Sequence, residues 1–126
     1  MSTNLWGSFE DLPTLDTPLS ILKDQANHLA MATSGILIGE VDSLSLGAAR
    51  FTYELDIVAP ALNGYRYTAV RISHDIELYP VKVDSPGLED VVICEDEEVF
   101  AMILHECFTS PKIRKVIASL LAQSKA

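Results

Sequence analysis

The sequence predicts an α+β fold, with an antiparallel sheet of three to five strands, one N-terminal helix and two C-terminal helices packed on it. Apolar residues recur at three- and four-residue steps in one segment near the start of the chain and in two near its end, as in amphipathic helices. Between these segments apolar and polar residues alternate, as in a strand with one face on the core. Helices that are separate from a run of strands make an α+β architecture.

Length and composition indicate one domain preceded by an N-terminal arm. The 126 residues and the hydrophobic fraction of 48% are enough for a single core, which we expect over residues 17–126. In the arm, residues 1–16, no helical or strand period fits well. The arm either is disordered or docks on the body or on a partner chain, because Trp6 and Phe9 are costly to leave in water.

Three helices are predicted by their start and stop signals. The threonine and proline at 17–18 supply an N-cap and a first helical residue, and Gly35 is expected to cap the C-terminus of this helix. The apolar pattern of residues 96–108 predicts a second helix. The serine and proline at 110–111 repeat the start signal for a last helix.

The strands are predicted between the first and second helices. Residues 36–46 and 49–58 indicate two strands joined near Gly47. An asparagine–glycine turn then leads into a long third segment, residues 65–83. Residues 91–93 form either a short further strand or a buried connection.

The segment 65–83 is the centre of the predicted sheet. Its alternation keeps its phase through residues 73–75, where no glycine or asparagine supplies a positive φ. One long, bent strand is therefore favoured, with a tight hairpin as the alternative. The phase changes near Pro80, which indicates a bulge or an edge position.

The same alternation divides the side chains of the sheet between two faces. The predicted core includes seven residues: Phe51, Leu55, Ile57, Val70, Ile72, Ile76 and Leu78. Three tyrosines are expected on the face opposite Val70 and Ile72, namely Tyr65, Tyr67 and Tyr79.

The net charge of −9 makes nucleic-acid phosphates and anionic membranes unfavourable partners. Acids are concentrated in residues 84–98, which contain no lysine or arginine, whereas the C-terminal segment is basic. The acidic stretch is either a solvated loop leading into a helix start, where carboxylates favour the N-terminal dipole, or an acidic binding patch. It ends in four consecutive acids, Glu95, Asp96, Glu97 and Glu98.

A cytoplasmic location is expected. The chain shows no secretory signal and no apolar run long enough to span a bilayer. Its two cysteines, Cys94 and Cys107, lie in apolar sequence surroundings, which indicates reduced core thiols and not a disulfide.

No motif for catalysis, metal binding or a cofactor is recognised, so no catalytic residue, metal ligand or cofactor is assigned. His105 and Cys107 stand two residues apart on a predicted helix and therefore point to different faces. The best single candidate for titratable chemistry is His74, which continues an apolar strand face next to Asp75. A hydrogen-bonded core or sheet-edge histidine is the simpler interpretation.

Two functions follow as hypotheses. The first is a non-enzymatic protein-binding module of the adaptor, chaperone-like or toxin-neutralising type, motivated by the acidic charge, the lack of a catalytic set and the apolar arm. The second is a small-molecule-binding protein or enzyme with a pocket between the sheet and the first helix. In that pocket His74, Tyr53 and Tyr67 are the candidate polar groups.

A protein partner is expected, with a second copy of the chain as one candidate. The candidate partner-binding residues are Trp6, Phe9, Tyr65, Tyr79, Glu95, Asp96, Glu97 and Glu98. A twofold homodimer would cover the aromatic residues of the arm together with the tyrosine-bearing sheet face. The alternative is an arm that folds back on its own domain, with tyrosines that line a solvated sheet.

Overall fold

Three helices and a five-stranded sheet make up the fold in a computed structural model, which describes residues 2–44 and 50–126. Along the chain the elements are α1 (Pro18–Ala32), β1 (Ile38–Leu44), β2 (Phe51–Ala59), a 3-10 turn (Pro60–Leu62), β3 (Tyr65–His74), β4 (Val81–Asp84), β5 (Val92–Cys94), α2 (Glu97–Thr109) and α3 (Pro111–Ser124). The strands pair in sequence order, and every pairing is antiparallel. The predicted α+β class is therefore confirmed. The predicted joint near Gly47 lies outside the described residues.

Each helix begins where its capping residue predicts. The hydroxyl of Thr17 accepts a hydrogen bond from the Ser20 amide at 3.0 Å, and the Ser20 hydroxyl accepts one from the Thr17 amide at 3.1 Å. Asp96 caps α2 by accepting from the Val99 amide. Ser110 caps α3 and also donates to the Cys107 carbonyl, so one hydroxyl joins the two helices.

The first helix lies directly against the first strand. A Cβ atom added at Gly39 would stand 2.6 Å from the Cα of Ala26, a distance that side chains do not reach. A glycine on β1 and an alanine on α1 therefore let the two backbones approach closely. The resulting contact holds α1 across the edge of the sheet.

All three helices contribute to one core on a single face of the sheet. The cluster of buried residues comprises Leu22, Ala26, Leu37, Leu55, Ile57, Ala59, Ala69, Val70, Ile72, Val81, Val83, Cys94, Phe100, Ile103, Leu104, Cys107, Ile113 and Leu120. Four residues predicted from the alternation belong to it: Leu55, Ile57, Val70 and Ile72.

A β-bulge interrupts the pairing of β2 with β3. Leu55 pairs with Val70 but Asp56 pairs with Thr68, so Ala69 is an extra residue on β3. Ala69 and Val70 are both buried, at 1% and 0% exposure. The Ala69 carbonyl accepts a hydrogen bond of 2.7 Å from the buried hydroxyl of Ser85, which satisfies a polar group inside the fold.

The expected long strand over residues 65–83 is wrong, because the chain turns back after His74. Arg71 pairs with Asp84 and Ser73 with Lys82, so β3 and β4 form a hairpin. The turn obtains its positive φ from Leu78, at 76°, and the Leu78 amide bonds to the Asp75 carbonyl. A non-glycine residue in this conformation is uncommon, which is why the sequence carries no turn signal here.

The hairpin also corrects part of the predicted core. Ile76 lies in the turn and is 76% exposed, and Leu78 in the same turn is only half-buried. Phe51 stands at the start of β2 and is 41% exposed. The prediction assumed an alternation that continues through residues 73–78. Because the sheet ends at His74, Phe51, Ile76 and Leu78 lie at the edge of the core and not inside it.

Leu55→Ala is expected to lower the free energy of unfolding by about 2–5 kcal/mol, because Leu55 is only 3% exposed and the change leaves a cavity. Urea unfolding measures the loss. Ile76→Ala is the matched control and should change stability by less than about 0.5 kcal/mol. Equal losses in the two variants would contradict the hairpin.

Candidate binding sites

The N-terminal arm presents a row of apolar side chains to solvent. Its large apolar residues are 61% to 91% exposed: Leu5, Trp6, Phe9, Leu12 and Leu15. The hydrogen bonds made within the arm are local: Asn4 bonds to Gly7 and to Trp6, and Leu12 bonds to Phe9. The sequence left three alternatives for the arm: disorder, docking on the body or docking on a partner chain. The exposure of Trp6 and Phe9, at 82% and 61%, shows that these two residues do not dock on the chain's own body.

Tyr65 and Tyr67 lie on the helix side of the sheet. The expectation that they stand opposite Val70 and Ile72 is wrong, because the bulge at Ala69 reverses the phase of β3. Tyr65 now pairs with Ala59 and Tyr67 with Ile57, which belongs to the core face. An assignment of faces by alternation assumes that each residue changes face. One extra residue in a strand therefore inverts the assignment for every residue beyond it.

The two tyrosines form one wall of a groove whose other wall is α3. This cavity, which we call the α3 groove, has a volume of about 540 Å³. It is lined by Leu62, Tyr65, Tyr67, Lys112, Lys115, Val116, Ser119, Leu120 and Gln123. The α3 residues recur at helical steps of three and four, so one face of the helix contributes them. The three-residue spacing of Lys112 and Lys115 in a predicted helix was the sequence signal that they share one helix face.

His74 packs among aromatic rings at the other end of β3. Its ring stacks on Phe51 with centroids 5.5 Å apart and lies 6.0 Å from the ring of Tyr53. The Nδ1 atom donates to the Asp75 carbonyl at 2.6 Å. The Nε2 atom is buried and has no hydrogen-bond partner among the residues described. Of the candidate ligand-binding set, His74 and Tyr53 are brought together, whereas Tyr67 lines the α3 groove instead.

Tyr79 is a half-buried residue in the connection that precedes β4. Its ring meets Phe100 edge to face with centroids 6.3 Å apart. Burial raises the pKa of Tyr79 to about 12, with smaller contributions from nearby negative charges such as Glu97 and Asp16. Tyr79 thus joins the packing of α2 and is separate from Tyr65.

The four consecutive acids stand at the beginning of α2. All of Glu95, Asp96, Glu97 and Glu98 are exposed. Asp96 is the N-cap, and Glu97 and Glu98 occupy the first turn, where the helix dipole favours negative charge. Helix initiation accounts for the position of three of the four.

The sheet face away from the helices carries an ion-pair cluster that sequence reasoning missed. Arg66 on β3 contacts the carboxylates of Glu40, Asp42 and Asp56. Its hydrogen bond with Glu40 is the main cause that raises the pKa of Arg66. Asp56 is buried and also accepts from the Thr68 hydroxyl at 2.8 Å. Only the cross-strand register brings these residues together, because they are far apart in sequence.

A second, apolar cavity lies between the sheet and α1. Its volume is about 210 Å³. It is lined by Gln25, His28, Leu29, Ala32, Leu55, Ile57, Ala69, Phe108, Ile113 and Ile117. The sheet and α1 line it together with Phe108 of α2 and two residues of α3, Ile113 and Ile117. The candidate polar groups His74, Tyr53 and Tyr67 are not among its lining residues.

Two further findings bear on function. Within residues 2–44 and 50–126, no helix is both long and apolar enough to cross a bilayer, and no three His, Cys, Asp or Glu side chains are grouped as metal ligands. Compared with known proteins, the chain shows no significant match to a family model, a curated protein or a solved structure.

The two cysteines are buried free thiols. Burial, with smaller contributions from the neighbouring Cys107 and Asp96, raises the pKa of the Cys94 thiol to about 11. Burial likewise raises the pKa of Cys107. Both groups are consequently weak nucleophiles near neutral pH.

The free energy of unfolding is expected to fall as the pH rises from about 9 to about 11. The unfolded Cys94 thiol ionises near its ordinary value of 9.0, whereas the folded thiol stays protonated up to about 11. Ionisation therefore favours the unfolded state across this window. Urea unfolding at several pH values measures the slope. Cys94→Ala should reduce the slope, and the remainder is due to Cys107 and Tyr79, whose pKa values burial also raises. An unchanged slope would show that Cys94 does not contribute.

Proposed function

We propose that this chain is a non-enzymatic protein-binding module, and that its N-terminal arm is the binding element. The observation that carries the proposal is the exposure of five large apolar side chains within residues 5–15. Each such side chain contributes roughly 1.5–3 kcal/mol when it is fully buried. A row of this size that is left outside the core is characteristic of an interaction segment.

The chemistry of the arm supports a protein as its partner. Trp6 and Phe9 are large, rigid anchors of the kind that dominate protein interfaces. Glu10, Asp11 and Asp16 are its charged residues, and no lysine or arginine occurs before Lys23. The arm is therefore suited to a partner surface that combines apolar pockets with positive charge.

The arrangement of the titratable groups supports a binding function over a catalytic one. His74 stacks on Phe51, while the carboxylates of Glu40 and Asp56 are occupied by Arg66. General acid–base catalysis requires an acid and a base that converge on one reacting atom.

The exposed acids that begin α2 are a second candidate contact for a basic partner.

Replacing Trp6 and Phe9 with alanine is expected to abolish partner binding without unfolding the domain, because both side chains are exposed. The tagged full chain and the Trp6→Ala/Phe9→Ala variant are used to capture proteins from an extract of the native host, and mass spectrometry quantifies what co-elutes. The matched control is Ile76→Ala/Ile93→Ala, which removes two exposed apolar residues of the body. Retention of the same proteins by the arm variant would contradict the proposal.

A second candidate function, binding of a small apolar molecule, is favoured by the cavity between the sheet and α1. Its lining is predominantly aliphatic and aromatic, with Gln25 and His28 as the polar residues. Ala32→Trp should fill this cavity, since Ala32 is an exposed lining residue at the end of α1. Fluorescence titration with an apolar dye should then show binding to the original chain and a loss of affinity in the variant. Equal affinities would contradict this function.

A further inference from the structure

We infer that the α3 groove binds the N-terminal arm of a second copy of this chain, so that two copies associate by exchanging their arms. The inference rests on the proposed function, because it takes the arm to be the binding element. It adds the surface that the arm occupies and the identity of one partner.

The α3 groove has the composition of a binding surface for an aromatic segment. Tyr65 is 51% exposed and Tyr67 is half-buried, so each offers the groove an apolar ring that carries a polar hydroxyl. Leu120 is almost completely buried, and Leu62 and Val116 are half-buried. Tyrosine beside aliphatic residues is typical of the core of an interface with a polar rim.

Charge complementarity selects the arm as the occupant of this groove. Lys112 and Lys115 line the groove, and no acidic residue occurs from 109 to the end of the sequence. Neither lysine takes part in a salt bridge within residues 2–44 and 50–126. The arm contains two adjacent acidic residues, Glu10 and Asp11, that can pair with these lysines. In a chain with a net charge of −9, two copies repel each other in general, so an acidic segment on a basic helix face is a favourable orientation for approach.

The position of the arm favours a partner's groove over its own. Asp16 lies near Tyr79, at the His74 end of β3, since it contributes to the raised pKa of that tyrosine. The groove lies at the Tyr65 end, and ten residues of strand separate the two ends by about 30 Å. From Asp16 a fully extended chain spans only about 25 Å to Phe9 and about 36 Å to Trp6. The turn between Phe9 and Leu12 shortens both spans, so Phe9 does not reach the groove of its own chain and Trp6 would reach it only with that turn undone. A second copy can present its groove to the arm without this restriction.

Exchange of both arms produces a closed, twofold dimer. Each chain then contributes one arm and one groove, so the two contacts are identical. Once the first arm is bound, the second binds at a high effective concentration. Two contacts of moderate strength are thereby sufficient for a dimer at micromolar concentration.

Charge reversal on either side tests the inference with the full-length chain. Sedimentation velocity over a range of concentrations should give a mass near twice 13.8 kDa for the original chain. Lys112→Glu/Lys115→Glu should raise the dissociation constant at least about tenfold, and so should Glu10→Lys/Asp11→Lys. All four positions are exposed, so the thermal unfolding midpoint should stay unchanged.

A mixture of the two charge-reversed variants provides the decisive control. Each variant alone pairs like charges, whereas the mixture places an acidic arm on a basic groove and a basic arm on an acidic groove. Dimers should therefore reappear only on mixing. Arg114→Glu is the matched single control, because Arg114 is exposed on α3 but does not line the groove. Its effect should be small.

The fluorescence of Trp6, the one tryptophan of the chain, reports directly on the arm. Its emission should shift to shorter wavelength as dimers form.

A monomer at every concentration would overturn the inference, as would a dimer that both charge reversals leave intact. A concentration-independent blue shift that Lys112→Glu/Lys115→Glu abolishes would place the arm on its own groove and also overturn it. If the arm captures other proteins while the pure chain stays monomeric, the proposed function stands and this inference alone fails.

Discussion

The hydrogen bond from Ser85 to the Ala69 carbonyl is the constraint on which the arrangement of the helix-side surface depends. A bulge leaves one backbone carbonyl without a ladder partner, and an unpaired carbonyl inside the fold is costly. Ser85 supplies the partner from the loop after β4. The bulge can therefore persist, and it turns Tyr65 and Tyr67 towards α3. Without it, the same tyrosines would lie on the other face of the sheet and the α3 groove would lose a wall.

The two faces of the sheet handle charge in different ways. On the face away from the helices, Arg66 contacts three carboxylates and Arg71 pairs with Glu54, so four acids share two arginines and the cluster stays acidic. On the helix side, the exposed face of α3 carries bases without neighbouring acids in its own helix. An acidic protein thus has a basic region on α3, and the proposed association of two copies depends on that region.

The fold class and the helix starts could be predicted from the sequence because their causes are local. Thr17, Asp96 and Ser110 each cap the helix that follows them, and periodicity identifies the helices themselves. The sequence offers the hairpin after His74 only as the alternative to a long strand, because a leucine supplies the positive φ that glycine or asparagine usually provides. The α3 groove depends on the bulge and on the packing of α3, and neither leaves a periodic trace. Trp6 and Phe9 could be found from the cost of their exposure alone.

The separation of the arm from the core has a consequence for how this sequence can diverge. Every large apolar side chain between residues 5 and 15 is exposed, and the local hydrogen bonds of the arm stay within it. Substitutions there leave the folded state almost untouched. Core positions such as Leu55 are restricted by folding, whereas the exposed positions of the arm are not. If the arm is the binding element, as proposed, its sequence can therefore change one residue at a time at little risk to the fold.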